Sequence, residues 1–86
     1  MNLNQPIEGK GMHVKTINII GCLKKKGRII VKLANYHGVR QIVISRRANG
    51  NYVVGKEPGS ALTSATERDV ESMIDSLHMF IERWHS

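Results

Sequence analysis

Six cations (Lys26, Arg28, Lys32, Arg40, Arg47 and Lys56), two rings (Tyr36 and Tyr52) and His37 stand close together in the first two thirds of the chain. Together these side-chain types can do one kind of chemistry. The cations follow a phosphate backbone while bases stack on the rings. The stretch that holds them has no acid. From Gly9 to Lys56 there are eleven basic residues and no acidic one. From Thr66 onward the sign reverses: Arg68 and Arg83 face Glu67, Asp69, Glu71, Asp75 and Glu82. A surface charged only for solubility mixes both signs. A chain of net charge +6 with its cations gathered in one stretch is built to meet an anion, nucleic acid first and an anionic membrane surface second.

Other chemistries find less to work with. Cys22 is the one cysteine, so an intrachain disulfide and a four-cysteine zinc site are both excluded. His13, His37, His78 and His85 show no metal-ligand spacing, and the last two, seven apart on an expected helix, are too far apart for one ion. The carboxylates of Asp69, Glu71, Asp75 and Glu82 read as helix surface. The glycines read as turn residues, and no phosphate-loop motif occurs. The expectation is a binding protein, not an enzyme, with no cofactor and no metal.

The positioning elements follow from period and punctuation. Residues 1–11 carry Pro6, Gly9 and Gly11 with no period and read as a flexible arm. Residues 12–86 then form one domain, as expected for 86 residues. Residues 13–22 are rich in β-branched side chains and read as a strand. Lys24-Lys25-Lys26-Gly27 reads as a basic turn, with strands at 28–36, 39–47 and 51–55. Asn49-Gly50 signals a hairpin with φ > 0 at both turn residues, and 56–60 reads as a loop. Ser64-Ala65-Thr66-Glu67 fits a capping box. Val70, Met73, Ile74, Leu77, Phe80, Ile81 and Trp84 continue at helical spacing to the end of the chain. The expected fold is α+β: a four-stranded antiparallel, curved sheet followed by one long C-terminal helix (ββββα). That stripe exceeds what the sheet needs, so Met73, Leu77, Phe80, Ile81 and Trp84 are expected at the interface of a homodimer.

Alternation divides the sheet. Ile29, Val31, Leu33, Ile42 and Ile44 should face the helix, and Lys32, Tyr36, Gln41, Ser45 and Arg47 should face away.

Val31-Lys32-Leu33-Ala34-Asn35-Tyr36-His37-Gly38, Ile42-Val43-Ile44-Ser45-Arg46 and Gly55-Lys56-Glu57-Pro58-Gly59-Ser60-Ala61-Leu62 stand in that order over most of the chain. In that order they resemble the single-stranded DNA-binding domain of the transcriptional coactivator positive cofactor four, in its prokaryotic or bacteriophage form. The resemblance implies a homodimer whose strands form two basic channels for single-stranded DNA, serving replication, recombination, repair or transcription. It implies stacking by Tyr36, with Lys32 in the channel and Lys56 in the loop before the helix. The family's second stacking aromatic falls near Ala48, leaving Tyr52 across the hairpin to replace it.

Two alternatives stay open. One is an interaction module, such as a phage or plasmid inhibitor, that captures an acidic protein. The other is a binder of double-stranded DNA or RNA. The double-stranded RNA-binding domain places a helix before its three strands, and residues 1–11 make a poor one. No signal peptide or membrane-length apolar run is visible, so the expected location is intracellular and soluble.

Overall fold

The computed structural model describes residues 12–56 and 62–85. The expected N-terminal arm and most of the 56–60 loop lie outside them. The elements are helix α1 (Val14–Lys26), strands β1 (Arg28–Leu33), β2 (Gln41–Arg46), β3 (Tyr52–Gly55) and β4 (Leu62–Ala65), helix α2 (Glu67–Leu77) and strand β5 (Ile81–His85). They make one antiparallel sheet in the order β4-β3-β2-β1-β5. The expected ββββα order with a long C-terminal helix is therefore wrong: a helix opens the fold and a strand closes it.

The first correction is α1, which replaces the strand expected at 13–22. Thr16, Ile19, Ile20 and Leu23 are its buried residues. Their spacing of three, one and three is one face of a helix. The β-branched content of this segment suggested a strand, but burying that stripe against the sheet outweighs a propensity difference of tenths of a kcal/mol per residue. Gly27 ends the helix at φ 83°, and its N–H donates to Leu23 O at 2.7 Å. Such left-handed caps favour glycine. The three lysines expected in a turn instead form the last turn of α1, where positive charge suits the helix dipole.

The second correction lies at the C-terminus. The N-cap of α2 is Thr66, not Ser64, because Ser64 belongs to β4. Thr66 Oγ1 accepts from Asp69 N at 3.2 Å, and Asp69 Oδ2 accepts from Thr66 N at 3.1 Å. This reciprocal box contributes about 1 kcal/mol. The helix stops at Leu77, and β5 pairs with β1. Between Lys32 and Leu33 the register shifts: Leu33 faces Ile81, and Lys32 faces Arg83. Glu82 is the extra residue of a bulge. The bulge puts Ile81 and Trp84 on one face of a strand, three residues apart. That spacing imitates a helix.

Both helices lie on one face of the sheet. Ile19, Ile20, Leu23, Val70 and Ile74 pack with Ile29, Val31, Leu33, Ile42, Ile44, Tyr52 and Ile81 in a single core. The residues expected at a dimer interface belong to this protomer's own packing. Ile81 is 4% exposed, and Met73, Leu77, Phe80 and Trp84 pack around the core half-buried. The helical stripe that suggested a second copy does not exist as one surface.

At the β2–β3 hairpin, Gly50 N donates to Arg47 O and Arg47 N to Asn51 O. Only Gly50 of the Asn49-Gly50 pair has positive φ. The hairpin is thus the longer kind with one left-handed residue, not the two-residue turn.

Candidate nucleic-acid interface

Register assigns the sheet face that the helices leave uncovered. Arg28 pairs with Ser45, Ile30 with Val43 and Lys32 with Gln41. On the β5 side, Lys32 also faces Arg83 and Ile30 faces His85. On the far side, Ser45 faces Val53 and Val53 faces Ser64. Directly opposed residues project to the same face. This face therefore carries Arg28, Lys32 and Arg83 around an apolar centre of Ile30, Val43 and Val53, with Ser45, Gln41 and Ser64 between. Among the described residues that have a register partner on this face none is acidic; Glu82, the exposed bulge residue of β5, adjoins Arg83. Lys32, Gln41 and Ser45 are where strand alternation put them, whereas Tyr36, expected on the same face, packs on Phe80 and lines a cleft with Ile42 and Leu77.

One end of this face is a basic corner. Arg46 N donates to Gly27 O at 2.8 Å, which draws the end of β2 to the α1–β1 turn. The chain here brings Lys24, Lys25, Lys26, Arg28, Arg46 and Arg47 to one end of the sheet, with Arg46, in register with buried Tyr52, on the helix side. Lys24 is tied up: its Nζ lies 3.0 Å from Glu67 Oε2. The other five form no ion pair among the described residues.

The opposite end is the 34–40 turn. Leu33, Asn35, Tyr36, His37 and Arg40 line a cavity there of about 550 Å³. Asn35 has φ 59°, an uncommon left-handed conformation for a residue with a side chain. Tyr36 is 37% exposed, and its ring is braced edge-on by Phe80, with centroids 4.8 Å apart. Phe80 O accepts from Ala34 N at 2.6 Å, holding the turn to the α2–β5 connection. The two ends are joined by the six residues of β1, a run of about 17 Å at strand rise.

Of the nine residues expected to touch nucleic acid, Lys26, Arg28 and Arg47 fall at the corner, Lys32 lies on the open face, and Tyr36, His37 and Arg40 fall at the cavity. Tyr52 does not belong. Its ring is fully buried under α2, and its hydroxyl donates to Glu67 Oε1 at 3.3 Å. Burial and the adjacent carboxylate raise its phenol above the ordinary value. A ring in that position cannot stack on a base. Lys56 is exposed and lines a cleft of about 190 Å³ on the helix side with Tyr36, Val39, Ile42, Val54 and Leu77. Sequence reasoning missed Arg83, which lay in the supposed helix. It also placed Lys15 in the basic set, whereas Lys15 Nζ donates to His78 O and Ile81 O and closes the end of α2.

Glu67 ties the corner to the core. The Lys24 ammonium holds its carboxyl below the ordinary carboxylate value, and the same contact raises Lys24. Asp69 is lowered by the Thr66 backbone N–H. A lowered carboxyl stabilises the fold above its unfolded pKa, and that contribution disappears as pH falls through the folded pKa. The thermal midpoint should therefore drop on acidification below about pH 4.5, and Glu67→Gln should flatten part of that drop. The raised Lys24 acts at the other limit, losing its contribution as pH climbs through its folded pKa. Melting curves across pH check both. The effects should be modest, because both groups are substantially exposed.

No family profile, curated protein or solved structure matches this chain. Among the described residues, no helix is long and apolar enough to cross a membrane.

Proposed function

We propose that the protein binds single-stranded nucleic acid in a sequence-tolerant way along the open face of its sheet, from the Lys26–Arg28–Arg47 corner to the Tyr36–His37–Arg40 cavity. The observation that carries this reading is the register that sets Arg28, Lys32 and Arg83 on one sheet face, with Tyr36 exposed at the turn beyond its end. Arg28, Lys32 and Arg83 would meet successive phosphates, and Ile30 and Val43 offer apolar contact to sugars and bases. Tyr36 would stack a base at the cavity, a contact worth about 1–3 kcal/mol. His37 and Arg40 beside it are donors for phosphate or base edges. Binding of this kind holds a strand unpaired and requires no covalent step. Replication, recombination, repair and transcription are the processes that use it.

A second reading has its own support. Helix α1 supplies the helix before the strands whose expected absence counted against a double-strand binder. The cations at the C-terminus of α1 could then lie against a duplex backbone without any stacking.

A titration separates the two. One oligonucleotide is presented single-stranded and as a duplex, over a salt series. Single-strand binding well above duplex binding is expected, with a salt slope of about −0.7 per phosphate neutralised. Equal or stronger duplex binding favours the second reading. No binding to either would leave the basic face to an acidic protein partner.

A further inference from the structure

We propose that His13, Asp75 and His78 form a binding site for a divalent transition-metal ion of the zinc class, joining the start of α1 to the end of α2. One ligand atom from each of the three residues lies within 4.8 Å of the others. His13 Nε2 is 3.6 Å from Asp75 Oδ1. Two ligands of a tetrahedral ion with bonds of about 2.0–2.1 Å stand roughly 3.4 Å apart. The present separation of that pair is close to this, although the ring must turn to converge on an ion. Two imidazoles and one carboxylate, with a fourth position open to water, is a donor set that zinc accepts.

The surroundings orient the ligands. His78 Nδ1 lies 2.8 Å from Asp75 O. A backbone carbonyl can only accept, so Nδ1 carries the hydrogen and Nε2 keeps its lone pair. A histidine whose second nitrogen donates to a carbonyl is the usual arrangement of a metal-ligating imidazole. Asp75 is fixed through Oδ1, which accepts from His13 N at 3.2 Å and faces the buried Thr16 hydroxyl at 3.5 Å. Among the described residues its Oδ2 accepts no hydrogen bond. Lys15, the nearby cation, is committed to the His78 and Ile81 carbonyls. The His13 and His78 rings are stacked, with centroids 3.6 Å apart. Parallel rings do not converge on one ion, so binding turns the exposed His13 ring out of the stack. The sequence could not show this set. His13 and Asp75 are 62 residues apart and meet only because α1 and α2 lie antiparallel.

The test is a calorimetric titration of the untagged chain with Zn²⁺, paired with thermal unfolding in Zn²⁺ and in chelator. One ion per chain is expected, with an unfolding midpoint that rises with ion concentration. His13→Ala should weaken binding tenfold or more. It also removes the His78 stack and the Asp75 contact, so the quantity read is the ion-induced rise of the midpoint above the variant's own ion-free value. Asp75→Asn, which still accepts from His13 N, should also weaken binding. No stoichiometric binding, or wild-type binding by both variants, would overturn the assignment. A loss that followed His85→Ala or Cys22→Ser instead would place the ion elsewhere and overturn it too.

Discussion

Replacing Arg28, Lys32 and Arg83 together by alanine should weaken single-strand binding on the order of a hundredfold while leaving the fold intact. The three share the open face by register. At about 1 kcal/mol for each net phosphate contact, their joint loss is about 3 kcal/mol, and every 1.4 kcal/mol is tenfold. The salt dependence should change in step. Three fewer neutralised phosphates reduce the slope by about 2. Anisotropy titrations at several salt concentrations read both quantities, and a melting curve confirms folding. An unchanged slope would mean that this face does not meet the backbone. Tyr36→Ala should add a smaller loss that depends weakly on salt, because a ring contributes stacking and no charge.

Tyr52→Ala should cost about 3–5 kcal/mol of stability, the range for emptying a large aromatic site in a core. Tyr52 is among the largest fully buried side chains and packs with Ile44, Val70 and Ile74. A small domain has about 5–15 kcal/mol in total, so the variant should stand near the edge of folding. For a chain of this length, each kcal/mol moves the midpoint by about 4–8 °C. A fall of some tens of degrees is therefore expected by calorimetry. Tyr52→Phe removes only the hydroxyl bond to Glu67 and should cost about 0.5–1.5 kcal/mol. It should bind single strands like the wild type. A loss of affinity in Tyr52→Phe without a loss of stability would restore Tyr52 to the binding surface.

Lys32 and Tyr52 mark where sequence pattern reached and where it failed. Alternation in β1 and β2 put Ile29, Val31, Leu33, Ile42 and Ile44 inside and Lys32, Gln41 and Ser45 outside, because a pleated strand fixes facing by parity alone. Tyr52 opens a four-residue strand with both of its first residues buried, so parity there was uninformative. The helix α1 was legible as a stripe at Thr16, Ile19, Ile20 and Leu23, but β-branched composition masked it. The C-terminal error has a different origin. A β-bulge gave Ile81 and Trp84 the three-residue spacing of a helix. The helix was extended through them, and with it the dimer interface. Charge segregation survived both errors, because it depends on which residues are near in sequence and not on which element they occupy. What it could not show was that Lys15 and Lys24 serve the helix ends, or that Arg83 crosses from the acidic C-terminal segment to the basic face.

Lysine footprinting tests the central claim most directly. The free protein and its complex with a single-stranded oligonucleotide are acetylated lightly, and each lysine is read by mass spectrometry. The open-face account predicts protection of Lys26 and Lys32 in the complex, with Lys15 and Lys56 unchanged by the strand. Protection confined to Lys24 and Lys25, with Lys32 as reactive as in the free protein, would contradict it and move the nucleic acid off the sheet onto the end of α1.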